Sequence, residues 1–63
     1  MNKVIIKPIV QYNVVMWSIY NLHNEQLIDE HDSKHDALRY CEQNNYNVVE
    51  LITEQKIYEG TGE

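Results

Sequence analysis

Cysteine is nearly absent from this sequence, and its scarcity bears on both stability and cellular setting. Cys41 is the only cysteine, so no intramolecular disulfide can supplement the fold. A chain of 63 residues makes one small domain and buries only about 60% of the surface that its unfolded form exposes, which leaves a narrow margin of stability. The lack of cross-links also fits a reducing compartment, and we therefore expect a cytoplasmic protein.

Internal glycines and long apolar runs are missing as well. Both glycines, Gly60 and Gly62, fall in the last four residues, so no internal loop has the composition that cradles a phosphate. The apolar run at the start of the chain is broken by Lys7 and Pro8, which is too early for a signal peptide. No segment approaches the ~20 apolar residues of a membrane span. We expect neither a phosphate-binding loop nor a membrane anchor.

Positive charge is scarce. Five Lys and Arg stand against ten Asp and Glu, which gives a net charge of −5. The first 24 residues contain Lys3 and Lys7 and no acid, so all the acids lie in the remainder of the chain. Binding to a nucleic-acid backbone requires clustered cations that release counterions, and these scattered cations disfavour it. An acidic chain of this kind is better matched to a protein partner with a basic surface.

The apolar residues that are present predict three consecutive strands in the first half of the chain. Residues 3–10 are rich in Val and Ile, and 14–22 carry apolar side chains on both alternating faces, as a central strand does. A polar turn at 21–25 leads to a third strand at 26–31. Because Pro8 has no N–H to donate to a neighbouring strand, we expect the first strand either to lie at an edge of the sheet or to begin irregularly near Pro8.

The clearest local signal is the start of a helix. Ser33 is a good N-cap, and Asp36, three residues later, completes a pattern similar to a capping box. Ala37, Leu38 and Cys41 then form an apolar stripe at helical spacing. The pair of asparagines at 44–45 suits the end of the helix.

The resulting order, β-β-β-α-β, predicts an α+β fold. We expect a small antiparallel sheet of three to five strands with one helix packed on one face. The strand after the helix spans residues 46–52, and 57–58 is a candidate short last strand. We expect residues 1–59 to form a single domain and 60–63 to be a flexible C-terminal tail.

Three segments carry a resemblance to known sequences. They are Trp-Ser-Ile-Tyr at 17–20, Ser-Lys-His-Asp-Ala-Leu at 33–38 and Asn-Val-Val-Glu-Leu at 47–51. Together they resemble a class of short bacterial and phage domains of unknown function, over about residues 14–58. The resemblance implies a sheet-plus-helix fold and brings no catalytic residues. That class often has a glycine in the turn after its first long strand, where this chain has Asn24.

Reactive groups do not assemble into a recognisable catalytic or metal site. His31 and His35 have the four-residue spacing of zinc ligands on one helix face, but Ser33 as the N-cap puts His31 before the helix. Cys41 lies on the predicted inner stripe, where no histidine would activate it. We therefore expect a protein that is not an enzyme and that binds no metal and no cofactor.

The segment 25–36 is the candidate binding surface. It contains five acids with only Lys34 against them. Carboxylates spaced like phosphates would fit a basic, nucleic-acid-binding groove on another protein, and exposed aromatic residues favour interfaces. The simpler interpretation is a solvated rim that keeps the domain soluble. The candidate partner-binding residues are Glu25, Asp29, Glu30, Asp32, Asp36, Tyr20 and Met16.

These observations favour one function and leave two alternatives. The leading hypothesis is a small acidic, non-catalytic protein-binding module, such as a phage or mobile-element inhibitor that masks a nucleic-acid-binding surface. The first alternative is a nucleic-acid-binding module that uses Lys3, Lys7 and the aromatic residues of the sheet. The second is a self-associating structural domain, a homodimer formed through an exposed strand at 3–10.

Overall fold

The computed structural model describes residues 2–53 of the chain. Its elements are β1 (Lys3–Gln11), β2 (Val14–Asn21), β3 (Leu27–His31), α1 (Lys34–Gln43) and β4 (Asn47–Leu51). The predicted order and the α+β class are therefore confirmed, and the four strands of the described sheet fall within the expected three to five. The candidate strand at 57–58, the tail at 60–63 and the end of the predicted domain at 54–59 lie outside the described residues.

The sheet is mixed, so the prediction of an antiparallel sheet is wrong in one pairing. The strand order is β3-β2-β1-β4, and β1–β2 and β2–β3 are antiparallel, whereas β1–β4 is parallel. The cause is the helical connection between β3 and β4. A connection of this length carries the chain across the sheet before the next strand begins, and such crossovers join parallel strands. As a result, β4 runs in the same direction as β3, forms the opposite edge of the sheet and pairs there with β1.

The prediction that β1 lies at an edge is also wrong, because β2 and β4 flank it. Pro8 is nevertheless accommodated by the alternation of backbone groups along the strand. The Asn47 N–H donates to the Asn2 carbonyl at 2.7 Å and the Ile52 N–H donates to the Ile6 carbonyl at 2.9 Å, so even-numbered residues of β1 face β4. The missing N–H of Pro8 therefore points past the last hydrogen bond that the structure describes between these strands.

The turns depend on asparagine and on left-handed backbone. Tyr12 and Asn13 join β1 to β2 with φ values of 54° and 63°, the conformation of a two-residue type I′ hairpin. In the next turn, Asn21 Oδ1 accepts hydrogen bonds from the backbone N–H groups of His23 at 2.8 Å and Asn24 at 3.3 Å. The polar turn predicted over 21–25 is thus present, and its own side chains hold it.

The core is a small cluster that joins the sheet to the helix. Its members are each no more than 1% exposed, and they are Val4, Ile6, Ile19, Ala37 and Cys41. They come from β1, β2 and α1, and α1 also contacts β3 and β4. Trp17, Leu38 and Leu51 are among the partly buried residues packed against this cluster. Short side chains on the helix allow it to approach the larger isoleucines of the strands closely.

The start of α1 follows the predicted capping pattern. Ser33 has extended backbone angles, and its Oγ accepts a hydrogen bond from the Asp36 N–H at 3.1 Å. This bond satisfies one of the N–H groups that the first turn of a helix leaves without a partner. The helix ends at Gln43, and Asn45 then adopts a left-handed conformation with φ of 59°.

The two faces of β1 should respond differently to the same substitution. Ile6→Val removes a methylene from a fully buried side chain and should lower the free energy of unfolding by about 1 kcal/mol. Ile5→Val makes the same change in the neighbouring residue, which is only half-buried, and should cost less than about 0.5 kcal/mol. Urea denaturation followed by circular dichroism measures both. Equal losses, or a larger loss from Ile5→Val, would contradict this assignment of the faces.

The helix cap can be tested alone. Ser33→Ala removes the acceptor for the Asp36 N–H and should destabilise the domain by about 1 kcal/mol. Ser33→Asp is the matched control, because it restores an acceptor and should recover most of the loss. The same denaturation experiment reads both variants, and an alanine variant as stable as the parent would show that the cap contributes nothing.

Candidate protein-binding face

The sheet has a second face, on the side away from the buried cluster. Directly paired residues of neighbouring strands share a face. On this side Ile5 pairs with Tyr20, Lys7 with Ser18, and Ile9 with Met16. In the part of the chain that the structure describes, no helix covers these residues. We name this surface the open face and define it by Ile5, Lys7, Ile9, Met16, Ser18, Tyr20 and Glu30.

A row of three residues crosses the middle of the open face. Lys7 on β1 pairs with Ser18 on β2, and Ser18 pairs with Glu30 on β3. Ser18 is 0% exposed, and its Oγ has no hydrogen-bond partner within residues 2–53. Its burial on an open face follows from its size, because the longer neighbouring side chains extend past it. The row therefore presents a cation and a carboxylate on either side of a small central residue.

Tyr20 organises the rest of the face. The Lys7 ammonium lies 4.8 Å from the centroid of the Tyr20 ring, which is a cation–π distance. Shallow grooves of about 720 and 430 Å³ lie on the two sides of Tyr20, the larger lined also by Ile9 and Glu30 and the smaller by Ile5 and Glu25. Both grooves open to solvent. Their shape suits side chains of a docking partner better than a substrate that must be shielded from water.

The structure divides the seven predicted binding residues into two groups. Met16, Tyr20 and Glu30 lie on the open face, and Glu25 lines a groove at one end of it. The other group lies elsewhere: Asp29 pairs with Ile19 on the covered side, and Asp32 and Asp36 are exposed around the start of α1. The acids are therefore close in sequence but are not one surface, because adjacent strand residues point to opposite faces.

A group of side chains on the covered side was not foreseen from the sequence. The ring centroids of His31 and Tyr40 are 5.1 Å apart and those of Tyr40 and Tyr46 are 6.1 Å apart, and both pairs of rings are tilted. Asp29 Oδ2 is 3.2 Å from His31 Nε2, although the geometry is not that of a hydrogen bond. Desolvation is the largest cause of the raised pKa of the Tyr40 phenol, and the nearby Tyr46 and Asp29 raise it further. This group joins β3 to α1, and its members are too far apart in sequence for periodicity to connect them.

The structure places His31 before the helix and buries Cys41. Helix α1 begins at Lys34, after His31, and His35 Nε2 is 3.1 Å from Arg39 Nη2. Within residues 2–53, no group of three His, Cys, Asp or Glu side chains is arranged to hold a metal ion. Cys41 is 1% exposed, and burial raises the pKa of its thiol. An enclosed, protonated thiol is a poor nucleophile.

Comparison of the chain with protein-family models, with curated proteins and with solved structures found no match. No helix in residues 2–53 has the length and apolar character required to span a bilayer.

Burial of Cys41 predicts low thiol reactivity in the folded chain. Reaction with an aromatic disulfide reagent at pH 8 should be on the order of 100-fold slower than in urea, because attack requires opening of the core. Absorbance of the released thiolate measures the rate. A folded protein that reacts as fast as the unfolded chain would show that Cys41 is accessible.

The raised thiol pKa also predicts how stability depends on pH. The folded chain holds the Cys41 proton to higher pH than the unfolded chain, whose thiol has its ordinary pKa near 9.0. The contribution of Cys41 to the free energy of unfolding should therefore be constant below this value and be lost as pH rises above it. Cys41→Ala should reduce that decline, and an unchanged decline would exclude the thiol as its source.

Proposed function

We propose that this chain is a small, acidic, non-catalytic protein-binding module whose contact surface is the open face. The observation that supports it is that Tyr20 lines two shallow grooves, one together with Glu30 and the other together with Glu25, on the face that also carries Met16. Tyrosine and methionine are enriched in protein interfaces, and tyrosine supplies contact area at small entropic cost. In this proposal α1 covers one side of the sheet and leaves the other side to the partner.

The chemistry of the face indicates the kind of partner. Apolar and aromatic residues flank its central row on both sides, Glu25 and Glu30 lie at its border, and the chain has a net charge of −5. The complementary surface has apolar patches to meet these flanking rows and carries Lys or Arg where it meets Glu25 and Glu30. Surfaces that bind nucleic acids have this excess of cations. We propose that the module masks such a surface on another protein, as a phage or mobile-element inhibitor would.

The three predicted binding acids that are not part of the open face have a different role in this proposal. Asp32 and Asp36 are exposed near the start of α1, and Asp29 lies on the covered side. They add to the negative potential that attracts a basic partner, but they do not contact it through the open face. Charges outside a contact chiefly affect the association rate. We propose the cytoplasm as the compartment, where Cys41 stays reduced.

Charge reversal on the open face tests this function. Glu25→Lys with Glu30→Lys should remove the partner in affinity capture from the native cells, quantified by mass spectrometry. Asp32→Lys with Glu42→Lys is the matched control, because it makes the same change in net charge at exposed positions off the face. The control should retain the partner, and its circular dichroism and that of the test variant should match the parent.

The captured partner must also have the proposed chemistry. A duplex oligonucleotide should displace it from the module, since both would occupy the same basic surface. Equal capture by the two double variants would contradict a contact through the open face. A partner that is insensitive to the oligonucleotide would contradict the masking of a nucleic-acid-binding surface.

Direct nucleic-acid binding is a second candidate, and one contact favours it. Lys7 lies over the Tyr20 ring, and such aromatic–cation pairs can hold an unstacked base and its phosphate. Lys3 is on the same side of β1 by alternation, but Glu30 and Glu50 lie in the strands beyond. A gel shift at low salt that Lys7→Gln abolishes would support this candidate over the first.

A further inference from the structure

We propose that the open face also binds a second copy of this chain, forming a two-fold dimer in which β2 stacks on β2. The proposal rests on the charges of the row formed by Lys7, Ser18 and Glu30. It is independent of the identity of any other partner. If the proposed function also holds, the dimer regulates it, because the same face cannot bind both at once.

The two charges of the row do not neutralise each other within one chain. Lys7 and Glu30 lie on β1 and β3, with β2 between them, so their backbones are roughly 10 Å apart at ~4.8 Å per strand. The close contact between a carboxylate and a basic side chain that the structure describes in residues 2–53 is instead between Asp29 and the His31 imidazole, on the covered side. A cation and an anion are therefore both present on the open face, each on a strand next to that of Ser18.

A two-fold axis along β2 makes this row self-complementary. If the axis runs between two stacked sheets, the rotation exchanges the β1 side of one copy with the β3 side of the other. Lys7 of each copy then faces Glu30 of the other, and the two Ser18 residues lie opposite each other at the axis, where their small side chains leave room for the longer neighbours. Both charge contacts form together, as the symmetry of an isologous interface requires.

The neighbouring row supports the same axis. Ile5, Tyr20 and Leu27 are paired across β1, β2 and β3, and Leu27 is 49% exposed. The rotation sets Ile5 against Leu27 of the second copy, so apolar side chains meet each other. An axis perpendicular to the strands would instead set Lys7 against Lys7. The charge pattern therefore selects the axis along β2.

The size of the contact predicts a weak dimer. Three overlapping strands at ~4.8 Å and the eight residues of β2 at ~3.3 Å per residue give on the order of 400 Å² in projection. Stable complexes bury about 800 Å² per partner. The dimer should accordingly form at high concentration, dissociate on dilution and weaken as salt screens its charges.

Complementary charge variants test the geometry. In sedimentation velocity at low salt, Lys7→Glu and Glu30→Lys should each raise the dimer dissociation constant at least about tenfold, because each sets like charges against each other. An equimolar mixture of the two should form a heterodimer, since the lysine introduced at position 30 of one variant then faces the glutamate introduced at position 7 of the other. The double variant, which exchanges the two charges, should dimerise as the parent does.

Lys34→Glu is the control, because it changes the net charge as Lys7→Glu does but lies at the start of α1. It should dimerise like the parent, and circular dichroism should show that every variant is folded. A parent that stays monomeric at millimolar concentration would overturn the proposal. So would two monomeric single variants that fail to associate when mixed. These measurements use the purified chain alone, so their failure would leave the proposed function to its own test.

Discussion

The contact between the paired residues Ile6 and Ile19 and the helix residues Ala37 and Cys41 determines the rest of the structure. All four are buried in one cluster. Because side chains alternate along a strand, burial of Ile6 and Ile19 sends Ile5, Lys7 and Tyr20 to the opposite face. A shift of one residue in the pairing would exchange the two faces. The open face and its charges are therefore consequences of the same register that forms the core.

Local sequence signals were sufficient to predict the helix and the strands, but they did not predict which strands pair with each other. Ser33 and Asp36 mark the start of α1 because a cap depends on residues three apart. The positions of the strands along the chain follow from short-range alternation of apolar residues. The parallel pairing of β4 with β1 depends on where the helix carries the chain, which no local pattern encodes. Pro8 was misleading for a related reason: its missing N–H excludes a hydrogen bond at one position, and β1 is flanked by β4 before that position is reached.

The candidate site shows the same division. Sequence proximity grouped the acids of residues 25–36, but Asp29 and Glu30 are adjacent strand residues and point to opposite sides of the sheet. Period-two alternation along the sequence predicts that Met16 and Tyr20 share one face of their strand. The pairing of β2 with β1 then gives them a cation, Lys7, as a neighbour. The row through Ser18 requires the registers of two strand pairs together. That is information about three strands, and it becomes available only when the sheet is assembled.

A methyl-resolved NOE spectrum of the full chain tests most directly which face of the sheet contacts the helix. We expect NOEs from the methyl groups of Ile6 and Ile19 to the Ala37 methyl or the Cys41 β-protons, and none from Ile5 or Ile9 to any residue of α1. NOEs that join Ile5 or Ile9 to the helix, with Ile6 and Ile19 free of it, would mean that the helix lies on the other face. The open face would then not exist as described.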